Sequence, residues 1–523
     1  MEPNVPLRLL FVVLLCLSGC TSQVPRVPSQ ALPAEASPFG ATIMARADAH
    51  PGRSGFRLLP SSHEAFIARA ELIRTAQRSL DLQYYIVHDG LSTQILVDEL
   101  LKAADRGVRV RLLIDDLNSD GRDYEIGALA AHPNIQIRLF NPMHLGRSTG
   151  VTRTLGRLLD LSQQHRRMHN KLWLADTSVA IVGGRNLGDE YFDAEPSLNF
   201  TDIDLLGVGP VAQHLGQSFD QYWNSALSKP VQAFLWRQPD AGDLQHARKR
   251  LQRDIAHARG EQQDLAESLL AYRQRPRLQG WLDELIWAPS QSLWDAPAKV
   301  LTRDEPDPAL LLTTQLAPEL EGVRHELFLV SAYFVPADEG MRYLTQRADA
   351  GVDIRLLTNS LEATDVPPVH GGYAPARKAL LKHGVRLFEL RRRPEQQGAG
   401  GSAGYNLTGM SDSSLHSKAA IFDRQKVFIG SFNFDPRSAL WNTEVGVIVD
   451  SPELAERVRE LALRGMSPPL AYEVKLQRRG DHTQLVWVTE DHGRLHVLDQ
   501  EPAGLWRRFN AWISSAVGLE RML

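Results

Sequence analysis

Cysteine is almost absent: the 523 residues hold only Cys16 and Cys20, both within the first twenty positions. The body of the chain can therefore contain neither a disulfide framework nor a cysteine-based metal site. The histidines show no zinc-type spacing and no Walker-type glycine loop occurs, so a metal, a nucleotide or another cofactor is not expected. A basic surplus is missing as well. With 58 Lys and Arg against 62 Asp and Glu the formal net charge is −4, which counts against a dedicated nucleic-acid binder. The apolar run Leu9 to Leu17 is too short to span a bilayer as a mature helix.

That run follows Arg8 and precedes small residues, the pattern of a secretory signal. Its end, Leu17-Ser18-Gly19-Cys20, resembles a bacterial lipobox. Residues 1–19 are therefore expected to be a lipoprotein signal peptide, with lipid on the sulfur of Cys20. Thr21 and Ser22 follow in place of Asp, which in that sorting pattern favours the outer membrane, facing the periplasm, over the inner. Residues 20–51, rich in Pro, Ser and Ala, read as a flexible tether.

A chain of 523 residues exceeds one hydrophobic core, and a repeat argues for two units. The first opens with an amphipathic helix near 62–78, whose apolar Ala65, Phe66, Ala70, Leu72, Ile73 and Ala76 are interrupted by Arg69. A strand at 80–87, a helix at 95–104 and a strand at 108–114 follow. The second unit repeats this order at 327–335, 341–350 and 352–357. Arg106 to Leu113 lies over Ala350 to Leu357, and Tyr84 over Tyr333. Strands alternating with helices predict an α/β fold with a mixed sheet flanked by helices in each half. The expected domains are 52–229 and 298–460, separated by a helical insertion at 230–297 whose charged stretch runs from Asp243 to Tyr272. A C-terminal extension, 461–523, carries strands near 471–477, 482–488 and 496–498. Its aromatic and basic helix at 505–517 suits either a membrane interface or docking on the core.

The chemistry lies in two copies of H-x-K-x4-D-x6-G-[GS]-x-N. His169, Lys171, Asp176 and Asn186 overlay His416, Lys418, Asp423 and Asn433. On a strand, residues two apart share a face, so each His and Lys would point together. Two ammoniums with the amides of Asn186 and Asn433 would bind a phosphate oxyanion. Two histidines permit one to attack phosphorus while the other protonates the leaving oxygen. The odd spacing of Asp176 and Asp423 puts them on the opposite face, as structural partners more than catalysts. Glu444, downstream of His416, and Asp202, at the matching place after His169, are the expected histidine-orienting carboxylates, with Asp204 as an alternative to Asp202. Gly183-Gly184 and Gly430-Ser431 read as tight turns. Arg147, Arg153, Arg157, Arg166 and Arg167 form a basic run, read first as a solvated helix face and second as a lipid-phosphate contact.

These motifs resemble the two HKD motifs of the phospholipase D superfamily. The runs Arg167 to Lys171, Gly183 to Phe192 and Ser431 to Ser438 are similar to the cardiolipin synthase C group of bacterial enzymes. The resemblance implies two pseudo-twofold-related domains with one shared active site, and catalytic roles for His169, Lys171, Asp176, His416, Lys418 and Asp423. It further implies His169 as nucleophile and His416 as acid, phospholipid substrates at a membrane surface, and phosphatidyl transfer onto phosphatidylglycerol. A separate helper protein belongs to the same implication. Water as acceptor, in a hydrolase or nuclease, and a non-catalytic lipoprotein are the rival expectations.

Overall fold

In the computed structural model, residues 24–116, 123–142, 166–195, 198–302, 304–392 and 412–517 are described. The expected signal segment 1–19, Cys20, and Arg147, Arg153 and Arg157 lie outside them.

The chain builds two sheets of one design. In sequence order the strands are β1 (Ser54–Leu59), β2 (Ser79–Tyr84), β3 (Arg109–Asp115), β4 (Ile135–Phe140), β5 (Leu172–Ala175), β6 (Val179–Gly183), β7 (Leu198–Thr201), β8 (Asp204–Val208), β9 (Ser228–Pro230) and β10 (Ile286–Ala288). They continue as β11 (Ser290–Trp294), β12 (Glu326–Ser331), β13 (Asp353–Asn359), β14 (Arg386–Leu390), β15 (Asp412–Leu415), β16 (Lys418–Phe422), β17 (Lys426–Gly430), β18 (Val445–Asp450), β19 (Ala471–Arg479), β20 (His482–Asp491) and β21 (Arg494–Leu498). The first sheet runs β10-β1-β8-β6-β5-β2-β3-β4-β9 and the second β11-β18-β17-β16-β12-β13-β14-β19-β20-β21. In both, the three strands joined through helices are parallel, β2-β3-β4 and β12-β13-β14, and the hairpin strands beside them are antiparallel. The α/β expectation with a mixed sheet in each half is met.

Period-two alternation decides which face each strand side chain takes. Leu172 and Leu174 join Ala419, Ile421, Val427 and Ile429 in one core shared by both halves. Their neighbours Trp173 and Ala175 face the outer core of the first half, and Ala420 and Phe422 that of the second. The helices Pro210–Asn224 and Pro452–Gly465 add Leu215, Phe219, Leu454 and Val458 to the shared core. Burial of this apolar seam, at about 25 cal/mol per Å2, is what holds the halves together.

Several boundaries need correction. Part of the expected tether is docked on the first half: Ser29 and Ala31 donate backbone N–H groups to Asn224 (3.0 Å) and Asp220 (2.7 Å). The helix Pro38–Asp48 then buries Ile43 and Ala47. The insertion 230–297 is helical only in part, because β10 closes the edge of the first sheet and β11 that of the second. Strand β11 beside β18 stands where β1 stands beside β8, so the second half begins near 290. In the expected C-terminal extension, strands β19 to β21 continue the second sheet. The helix Leu505–Val517 packs on the helix Pro367–Tyr373.

Arg69, which interrupts an apolar helix face, is buried with its guanidinium 2.9 Å from Asp204 and its Nε donating to Tyr84 at 3.2 Å. The overlay of Tyr84 on Tyr333 fails by two residues. Asp176 accepts from Ser79 N–H where Asp423 accepts from Glu326 N–H, which places Tyr84 over Ser331.

Candidate active site

Each motif begins just before a strand, and the aspartate closes the hairpin that follows. Asp176 and Thr177 have φ of 48° and 51°, and Asp423 and Arg424 have 50° and 58°. Two consecutive positive φ values define the turn whose twist matches a two-stranded hairpin, and Asp tolerates them. The Asp176 carboxylate accepts backbone N–H groups of Gln77, Arg78 and Ser79 at 2.8 to 2.9 Å. Asp423 does the same with Arg324, His325 and Glu326 at 2.7 to 2.8 Å. Burial raises the Asp423 carboxyl, but these three donors outweigh it and hold it below the usual range. Both aspartates thus anchor the hairpin to the start of β2 or β12, away from the histidines.

The histidines cross over. His169 Nδ1 lies 2.9 Å from Glu444 Oε2, and His416 Nδ1 lies 2.8 Å from Asp202 Oδ2. The backbone crosses with them. His169 N–H donates to Thr443 O at 2.9 Å, and His416 N–H donates to Thr201 O at 2.8 Å. Next to His416 the two halves even share a small parallel sheet, β7 with β15. Each histidine is therefore oriented by the residue following its backbone acceptor in the opposite half. Asp204, the alternative to Asp202, is instead held by Arg69 and Arg185, at 2.9 and 3.4 Å.

His169 and His416 do not share strands with their lysines, as the spacing had suggested; β5 starts at Leu172 and β16 at Lys418. The ammoniums fold back instead. Lys171 Nζ donates to His169 O at 2.6 Å and Lys418 Nζ donates to His416 O. All four side chains are buried.

Burial, then the charges of Lys171, Lys418 and Arg437, push His169 well below its ordinary value. His416 is pushed down to about 4 by burial and Lys418, against the pull of Asp202. Burial also lowers both lysines. The carboxylates part company. Burial would raise Asp202, but the hydrogen bond from His416, with Lys418 and Arg185, holds it at about 2. Glu444 is raised to about 7 by burial, although Lys171 and the hydroxyls of Ser431 and Ser438 oppose the shift. Both histidines are thus neutral near pH 7, while Asp202 is an anion and Glu444 is poised to ionise.

Rings complete the walls. Tyr85 meets His169 edge-on at 5.0 Å, and Tyr191 and Phe200 flank His416 at 5.3 and 5.1 Å. Asn186 supports one of them, its Nδ2 donating to Tyr191 OH at 2.8 Å and its Oδ1 accepting from Ile86 N–H at 3.2 Å. Asn433 Oδ1 is buried without a hydrogen-bond partner. None of the described hydrogen bonds joins either asparagine to a motif His or Lys.

Gly183-Gly184 is a close approach more than a turn: a Cβ at Gly184 would fall 2.4 Å from the Asp202 carboxylate. Arg167 is buried and donates to Asn141 O at 3.2 Å, and Arg166 lies over Trp441 of the other half at 4.8 Å. The solvated-face reading therefore fails for these two.

The sequence reading missed Tyr85, Tyr191, Ser431, Ser438 and Arg437 as site residues. Ser431 carried a signal, standing in the repeat where the first half has Gly184, and Tyr191, Arg437 and Ser438 lie within the runs that carry the family resemblance. Among the described residues no three of His, Cys, Asp and Glu converge as metal ligands would.

A family model described as cardiolipin synthase, PLD-like domain, matches residues 70–223 and 316–464. Cardiolipin synthase C of Escherichia coli (strain K12) is 37% identical over 478 residues, covering 91% of this chain and 97% of that protein. An uncharacterized protein of Helicobacter pylori (strain 26695) is 33% identical over 501 residues, 93% of this chain and 94% of its own. Among solved structures, a phosphatidylserine synthase of Haemophilus influenzae Rd KW20 matches with a TM-score of 0.56 at 14% identity, over 92% of this chain and 100% of that one. That likeness concerns the fold.

Proposed function

The chain belongs to the cardiolipin synthase family of phospholipase D-like proteins, and from that premise we propose that it is a phosphatidyltransferase making cardiolipin from phosphatidylglycerol and a second phospholipid. The observation that carries the proposal is the exchange of His169–Glu444 and His416–Asp202 across the halves. It supports one site with two histidines rather than two sites with one each.

In the proposed reaction the donor phosphodiester enters between Lys171 and Lys418, whose charges offset its own. The incoming anion also favours protonation of His416. With Nδ1 held by Glu444, Nε2 of His169 attacks phosphorus. The bond to the headgroup oxygen breaks as His416 gives that oxygen its proton, leaving a phosphatidyl group on His169. His416, now neutral, takes the proton of a phosphatidylglycerol hydroxyl. That oxygen attacks phosphorus, and the N–P bond breaks. Asp202, already an anion, suits the histidine that must carry positive charge, which supports His416 as the acid.

Purified protein given phosphatidylglycerol, with and without phosphatidylethanolamine, should yield cardiolipin by mass spectrometry. Phosphatidic acid alone would mean water is the acceptor and would sink the synthase reading.

We further propose that the protein works at a membrane surface as a lipoprotein anchored at Cys20, in the outer membrane and facing the periplasm. No helix among the described residues is long and apolar enough to cross a membrane. The helix Leu505–Val517 leaves Leu505 and Trp506 84% and 71% exposed, which suits interfacial contact. Labelling with radioactive palmitate should be lost in Cys20→Ser, and label that persists would refute the anchor.

A further inference from the structure

The two histidine–carboxylate pairs rest on different buried charge groups. Behind Asp202 stands Arg185, which donates to the Asp202 backbone carbonyl at 2.5 Å and pairs, with Arg69, to Asp204. The two guanidiniums face Asp204, and Arg185 also faces Asp193, so the charges behind Asp202 are held by arginines on both of these carboxylates.

Behind Glu444 stands a group that follows β11 in the chain. Asp295 Oδ2 accepts the Glu444 backbone N–H at 2.8 Å, and Asp295 N–H donates to Glu444 O at 3.0 Å. Asp295 Oδ1 accepts Leu312 N–H at 2.7 Å and lies 3.0 Å from Lys299 Nζ. Lys299 Nζ also donates to Ser438 O at 2.8 Å, and the Ser438 hydroxyl donates to Glu444 Oε1 at 2.8 Å. From the first half, Tyr222 OH donates to Asp295 O at 2.6 Å. Asp295 and Lys299 have no exposed surface. A buried ion pair carries a large desolvation cost, so its presence calls for a role beyond stability.

We infer that Asp295 and Lys299 are positioning residues that hold Glu444 against His169 and set the ionisation of that pair apart from the His416–Asp202 pair. The inference rests on the proposed two-histidine reaction and deepens it. The charged and titratable groups facing the Glu444–His169 pair are Lys171 and Lys418 from the motifs, Arg437, Asp435, Tyr222, and the Asp295–Lys299 pair itself. Within this set, removing the anion of Asp295 must ease ionisation of Glu444, and removing the cation of Lys299 must hinder it.

The test uses Asp295→Asn, Lys299→Met, the double variant and Lys299→Arg. The pH dependence of kcat/KM is followed on phosphatidylglycerol, counting every product of phosphodiester cleavage. The limb near pH 7 should move down by about one pH unit in Asp295→Asn and up by a similar amount in Lys299→Met. It should return towards its wild-type place in the double variant, and Lys299→Arg should leave it unmoved. Limbs that stay fixed while rates fall would overturn the inference and leave a structural pair only. Histidine 15N NMR titration of the His169 ring in the same variants reads the same shifts without turnover. A wild-type protein that cleaves nothing would therefore fail the proposed reaction alone, while an unmoved His169 titration would fail this inference.

Discussion

In the first half the residue after Gly183 is Gly184, with space for no Cβ beside Asp202; in the second half the same place is Ser431, whose hydroxyl donates to Glu444 at 2.5 Å. A single repeated motif has thus been fitted to two unequal carboxylates. The shorter Asp202 is met by backbone at close quarters, with Arg185 bonded to its own backbone carbonyl. The longer Glu444 is met by two hydroxyls and by the Asp295–Lys299 pair. Copies that agree in the hairpin and differ around the carboxylate show which part of the repeat builds the frame. In the proposed reaction it is the differing part that would set the two histidines apart.

The largest expected effect breaks both halves at once. His169→Ala and His416→Ala should each reduce turnover by ~10,000-fold or more, since each completes a unit spread over both halves. After an alkaline quench, trapped phosphohistidine should map by mass spectrometry to His169 in wild-type protein. Label on His416 instead would reverse the assignment.

Next come the carboxylates, where Asp202→Asn and Glu444→Gln should each cost ~100- to 1,000-fold in kcat. Their pH profiles should differ. Burial raises Glu444 to about 7, so its negative charge, which best polarises His169, is lost as pH falls through that value. Glu444→Gln should erase the titration near pH 7. Asp202→Asn should retain it, because Asp202 is already ionised well below that range.

Exchanging the small residues sharpens the contrast further. Gly184→Ser forces atoms into the Asp202 carboxylate and should lower kcat by ~100-fold, whereas Ser431→Gly removes one donor from Glu444 and should cost only ~10-fold. Equal effects would mean that the two surroundings are interchangeable.

The smallest effect on catalysis is expected at the hairpins. Asp176→Ala should lower Tm by about 5 °C, and Asp423→Ala by about half as much, because Asp176 is the more buried of the two. Turnover measured below the melting transition should fall by no more than about threefold. A loss comparable to that of the histidine variants would place these aspartates in the chemistry after all.

Much of the frame was legible from residue pattern alone. The strands at 471–477 and 482–488 and the helix at 505–517 match β19, β20 and the last helix closely, since alternation and helical spacing are local properties. Where reading failed, nonlocal packing decided. The stretch at 20–51 looked like a tether because Pro, Ser and Ala carry little pattern, yet Ser29 and Ala31 are held by Asn224 and Asp220. The Tyr84 overlay slipped because register depends on which backbone groups Asp176 and Asp423 grip.

By itself the sequence determined that two copies of a histidine, lysine and aspartate motif exist, one in each α/β half, and that Asp202 and Glu444 stand ready as orienting groups. Only the tertiary structure decided which carboxylate serves which histidine. That pairing depends on β7 meeting β15 and on Met168 meeting Thr443, contacts between residues more than two hundred positions apart. Local spacing carries no information about such partners, which meet across the apolar seam that the two halves bury together.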